Sequence, residues 1–181
     1  MVADTETPVG AALKLIEPGR GDFLLESVEG SATWGRHSII GLPCRRRFVL
    51  NGSEWTETDG GRTVTREEVE DPLARIAALQ AKFRAPRLET LPVFSGGLVG
   101  YFGYEIVQRF EPQLALDGKQ DELGTPEMVM LLSEEVAVFD NLAGRLYLIV
   151  NADPDAPQAW EQAQRRLDQL SHRLRIGGPG Y

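Results

Sequence analysis

His37 and Cys44 are the two side chains in this sequence that could together make a nucleophile and its base, because a thiolate attacks while an imidazole takes its proton. A buried cysteine beside an unrelated histidine is the far commoner arrangement, so the pair alone assigns no catalysis. The second histidine, His172, falls near the end of a predicted helix, where it suits the negative end of the helix dipole. Neither histidine has a second ligand-type residue at metal-binding spacing. The glycines of SGGLVGYFGYE, Gly97, Gly100 and Gly103, fit neither G-x-G-x-x-G nor the P-loop pattern, and no Lys-Ser/Thr follows them. Inside a strand such glycines mark a bulge or a close backbone approach. Carboxylates are plentiful, but no pair stands out as an acid and a base in an apolar pocket. From residue types and spacing alone, no active site assembles.

A different kind of signal sits at residues 23–30, FLLESVEG. Its apolar content predicts a half-buried strand, with side chains alternating between faces. Phe23, Leu25, Ser27 and Glu29 then share one face, and Leu24, Glu26 and Val28 the other. A carboxylate and a hydroxyl thus fall side by side in the middle of an otherwise apolar strand. The plain account is an edge strand whose glutamate is solvated and whose serine bonds to backbone.

The elements around it read as strands in hairpins. GRHSIIGL (35–42) and CRRRFVLNG (44–52) are strands, and Asn51-Gly52 is a hairpin turn that needs positive φ. SEWTET returns, and DGGRTVTR adds a further turn and strand. The run Arg45-Arg46-Arg47 fits a solvated or ion-paired strand with arginines on both faces rather than a phosphate-binding patch. Asp71-Pro72 opens a helix over 71–84, with Leu73, Ile76, Ala77, Gln80 and Phe83 on one face, apolar but for the glutamine. EEVAVFD and RLYLIVNAD form a hairpin through NLAG. Asp153-Pro154 repeats the helix-start signal, and Trp160, Ala163, Leu167, Leu170 and Leu174 form a packing stripe. GGPGY closes that helix. The polar loop at 112–126 is the expected mobile segment. Together these predict an α+β fold of largely antiparallel sheets, two sheets packed together with a few helices, in a single domain over 1–181.

The net charge of −8 argues against a nucleic-acid partner, which is held mainly by Lys and Arg. One cysteine cannot form an intramolecular disulfide, which suggests a reducing compartment. No run approaches the roughly 20 apolar residues of a membrane span, and the polar N-terminus is no signal peptide. A cytoplasmic protein, off the membrane, is the expectation.

Three stretches, LLESVEGSATWGRHSIIG (24–41), FSGGLVGYFGYEIVQRFE (94–111) and PEMVMLLSEEVAVFDNLAGRLYLIV (126–150), resemble the N-terminal domain of anthranilate synthase component I, in that family's order. Glu105 departs from the family's pattern, which more often has Asp after Gly-Tyr. The resemblance implies a parent enzyme that makes anthranilate from chorismate in tryptophan biosynthesis, with ammonia from a glutamine amidotransferase subunit and feedback inhibition by tryptophan. Chorismate and Mg²⁺ belong to that family's C-terminal catalytic domain, so no cofactor is expected in this chain. The chain stops at Tyr181, where the linker to that domain would begin, so an N-terminal piece without the active site is expected.

For the LLES segment the resemblance implies a pocket for L-tryptophan. Leu25 would pack on the indole, Glu26 would accept from the amino group, and Ser27 would offer hydroxyl or backbone contacts. Ser38, one strand on, would border the same pocket. An aromatic zwitterion needs that mix of apolar wall and placed polar groups. Aminodeoxychorismate synthase component I resembles these motifs closely as well. A free-standing amino-acid-binding module and an interaction domain using the 153–174 helix face are the readings from other classes.

Overall fold

Thr7 and Pro8 start the first helix, α1 (Pro8–Leu15): the Thr7 side chain accepts from the Gly10 N–H at 3.0 Å, and proline occupies the first turn. The computed structural model describes residues 6–17, 19, 21–26, 35–114 and 123–176. Its strands are β1 (Phe23–Leu25), β2 (His37–Gly41), β3 (Arg46–Asn51), β4 (Glu54–Asp59), β5 (Arg62–Glu68), β6 (Gly97–Phe102), β7 (Met128–Ser133), β8 (Glu135–Asp140) and β9 (Arg145–Val150). Helix α2 spans Pro72–Lys82 and α3 spans Ala159–Arg175, and a 3-10 helix covers Tyr104–Arg109. Two antiparallel sheets and a few helices make this an α+β fold.

Contacts divide the chain into two units, each assembled from separate stretches. The first takes residues 1–44, 85–97 and 133–181. Its sheet runs β1-β2-β8-β9, every neighbour antiparallel. Ile40, Leu42, Ala137, Phe139 and Leu146 pack on one face against Ala11, Ala12 and Leu15 of α1 and Leu170 and Leu174 of α3. Val136, Val138 and Ile149 gather on the other face with Ile39, Leu91, Phe94 and Tyr147.

The second unit takes residues 45–84 and 98–132, and its sheet runs β5-β4-β3-β7-β6. Phe48, Leu50, Trp55, Met128 and Met130 form its core with Ile76 and Leu79 of α2. Asp71 caps α2, accepting from the Leu73 and Ala74 N–H groups at 3.0 and 2.9 Å. Two of the three arginines around the start of β3 are ion-paired: Arg45 meets Asp59, and Arg46 meets Glu57 and Asp59 while lying over Phe83. Gly100 is the close approach that its sequence position suggests, because a Cβ there would overlap the Val129 carbonyl of β7.

Three local expectations are corrected. The last helix starts at Ala159, not at Asp153-Pro154: Asp153 Oδ1 accepts from the Asp155 N–H at 3.0 Å and makes a turn instead of a cap. The stripe on α3 is buried only in its second half, and Trp160 is 71% exposed. In the strand predicted over 23–30, Phe23 to Leu25 are paired and Glu26, the next residue, lies outside the ladder. Residues 27–30 lie outside the described residues, as do 115–122 of the loop expected to be mobile and the closing GGPGY.

Candidate functional site

β1 is an edge strand of three residues, and it delivers Leu25 to its last paired position, opposite Ile39. Leu25 is half exposed, and Glu26 follows it, exposed as well. An exposed apolar residue is therefore followed directly in the chain by an exposed carboxylate. Ser27 lies outside the described residues.

Ser38 sits differently. It is fully buried in β2, two residues before Ile40, and so on the sheet face that carries the helix-packed core. Leu25, across from Ile39, belongs to the opposite face. The Ser38 Oγ accepts from the Asn141 Nδ2 at 3.1 Å, and the Asn141 backbone N–H donates to the Arg36 carbonyl at 2.9 Å. The structure thus leaves both Leu25 and Glu26 exposed, and gives Ser38 an anchoring bond to the turn after β8.

That turn holds polar residues which the sequence reading passed over. Asp140, 4% exposed, pairs with Arg36 through two bonds: Nε to Oδ1 at 2.9 Å and Nη2 to Oδ2 at 2.5 Å. Its Oδ1 also accepts from the Leu142 and Ala143 N–H groups, at 3.2 and 3.0 Å, which closes the β8–β9 hairpin. The Arg36 guanidinium holds the Asp140 carboxyl down to about 2, well below the usual carboxylate range, against the opposing effect of burial. The signal was present in Asp140-Asn141, since both residue types bond their own backbone in turns. The resulting frame of Arg36, Ser38, Asp140 and Asn141 fixes the start of β2 to the end of β8.

Cys44 has the opposite of an activated environment. Its Sγ–H faces the Leu42 carbonyl at 3.4 Å, and burial is the main cause that pushes the thiol up to about 11. Reactive cysteines have lowered values at exposed, electropositive positions. Among the described residues, no three His, Cys, Asp or Glu side chains gather as a metal site. None of their helices is long and apolar enough to cross a membrane.

No family model matches the chain. It is 43% identical over 174 residues to anthranilate synthase component 1 of Pseudomonas aeruginosa, an alignment covering 96% of this chain and 35% of the relative. The same-named protein of Neisseria meningitidis serogroup C is 42% identical over 178 residues, covering 97% and 36%. That of Aquifex aeolicus is 34% identical over 191 residues, covering 100% and 36%. The chain thus spans about a third of the length of these curated relatives. In fold it is similar to the crystal structure of anthranilate synthase component I from Streptococcus pneumoniae, with a TM-score of 0.62 and 24% identity over 99% of this chain and 37% of that one.

Proposed function

Because this chain is a homologue of anthranilate synthase component I and corresponds to its N-terminal part, we propose that it is the tryptophan-sensing portion of such an enzyme, working in the cytosol. The observation that carries this is the 43% identity in an alignment that covers 96% of the chain. In the whole enzyme, chorismate and ammonia become anthranilate in a separate catalytic domain that holds Mg²⁺, and a glutamine amidotransferase subunit supplies the ammonia. The role of this chain is to report L-tryptophan to that domain. The relatives' shared name favours this over an aminodeoxychorismate synthase.

The geometry of β1 supports the sensing role. Leu25 offers an apolar surface that an indole can cover, and Glu26 offers a carboxylate for an ammonium group next to it. Ser27 contributes its hydroxyl or backbone. Ser38 acts one step removed: buried and bonded to Asn141, it keeps the frame behind the pocket in place.

Thermal unfolding with L-tryptophan tests this, with D-tryptophan and L-phenylalanine as controls. A ligand at 100 times its dissociation constant stabilises by about 2.7 kcal/mol, which is roughly 5–11 °C for a domain of this size. A stereospecific rise in Tm that Ser27→Ala diminishes is the expected result. Absence of a stereospecific rise, both in this chain and in a polypeptide as long as its relatives, would overturn the proposal.

A further inference from the structure

Among the described residues, β1 has three paired positions and one neighbour, and that short ladder defines its register weakly. A slip of one residue would move Leu25 to the other face of the sheet, and a slip of two would carry it roughly 7 Å along the strand. Yet the pairing is definite: Phe23 opposite Gly41, Leu24 opposite Ile40, Leu25 opposite Ile39. Something other than the ladder has to select it.

Gly41 is the one residue of β2 in this pairing that lacks a side chain; the next two are isoleucines. The ring of Phe23 lies over it. A Cβ built on Gly41 would overlap the Cε1, Cζ and Cδ1 atoms of that ring. The φ of Gly41 is not in the left-handed region, so the glycine is there for space and not for backbone conformation. Shifted either way, the Phe23 ring would lose this seat, and toward the N-terminus of β2 it would meet a branched side chain. An aromatic ring covering a cross-strand glycine is a known way to pin strand register.

We propose that the Phe23–Gly41 pair is a register lock, and that both are positioning residues which hold Leu25 and Glu26 where the effector meets them. The second half of this rests on the tryptophan reading above; the first half stands on the geometry alone. The ring needs the gap on β2, and the gap has a single occupant.

Hydrogen exchange followed by mass spectrometry on the 181-residue chain tests the lock without any ligand. Phe23→Ala empties the seat and Gly41→Ala expels the ring. Each is expected to speed exchange in the 22–26 segment at least tenfold, while β8 and β9 keep their protection. Phe23→Leu, a milder change, should give a smaller acceleration of the same segment, and it serves if the others fail to fold. Unchanged exchange in 22–26 would overturn the lock. L-tryptophan titration of the same variants tests positioning: Kd should rise at least tenfold in parallel with exchange. Faster exchange with an unchanged Kd would overturn the positioning role. If the wild-type chain and its longer counterpart both fail to bind L-tryptophan, the effector reading fails, and the exchange result still judges the lock.

Discussion

Acid should find the Arg36–Asp140 pair before most of the core feels it. Asp140 is almost wholly enclosed and accepts four N–H bonds, two from Arg36 and two from the turn it closes. Its carboxyl is held at about 2 instead of the ordinary 3.8. Each pH unit of that gap is worth about 1.36 kcal/mol, so the ionised form contributes roughly 2 kcal/mol to folding. Because the folded value is the lower one, that contribution is complete above the unfolded value and is lost as pH falls toward 2. Asp140→Asn keeps an oxygen for the turn but has no charge to titrate. Urea unfolding of both proteins from pH 7 to pH 2.5 isolates the effect, since the other carboxylates titrate alike in each. The stability advantage of the wild type should shrink by more than half over that range, all of it below about pH 5. An advantage that stays flat from pH 7 to 2.5 would show that the Asp140 carboxyl is not held down, and would refute the pairing as drawn.

Gly100→Ala should destabilise the chain by about 1–3 kcal/mol in urea unfolding, because its Cβ would overlap backbone atoms of Val129, which cannot swing aside as a side chain could. Leu170→Ala should cost about 2–5 kcal/mol, since Leu170 is fully buried against α1, whereas Trp160→Ala on the same helix should stay within about 0.5 kcal/mol. Equal losses from the two α3 variants would mean that the helix buries its whole apolar stripe.

The parts legible in the sequence are those where local chemistry leaves one solution. The β3–β4 hairpin forms one residue later than Asn51-Gly52 suggests, since Asn51 still pairs with Glu54 and the turn is Gly52-Ser53 with Gly52 at φ +55°, whereas Asp71-Pro72 begins α2 where expected, with the aspartate bonded as a cap. Asp153-Pro154 shows the same letters with a different outcome, because the aspartate is satisfied inside a turn and the chain continues through Gln158 at φ +55° before coiling. α1 was missed for lack of length: eight residues carry little periodicity, although Thr7-Pro8 followed by Ala11, Ala12 and Leu15 held the signal. At the candidate site, the LLES letters pointed to Leu25 and Glu26. Whether Ser38 faces a ligand or the core depends on strand register, which local sequence does not state. Arg36 and Asp140 lie 104 positions apart, and spacing rules do not reach that far.

The interleaving of the two units sets an order of events during synthesis. β2 pairs with β8, and about a hundred residues separate them in the chain. At roughly 5–20 residues per second, β2 leaves the ribosome several seconds or more before its partner exists. Every strand and helix of the second unit, from β3 to β7, is made in that interval. That unit can therefore settle first, while β1 and β2 wait on the emerging chain with nothing to complete their sheet. β1 and β2 are thus made well before the strand that completes their sheet, so the polypeptide between β2 and β8 has time to fold before Leu25 and Glu26 are held by a finished sheet.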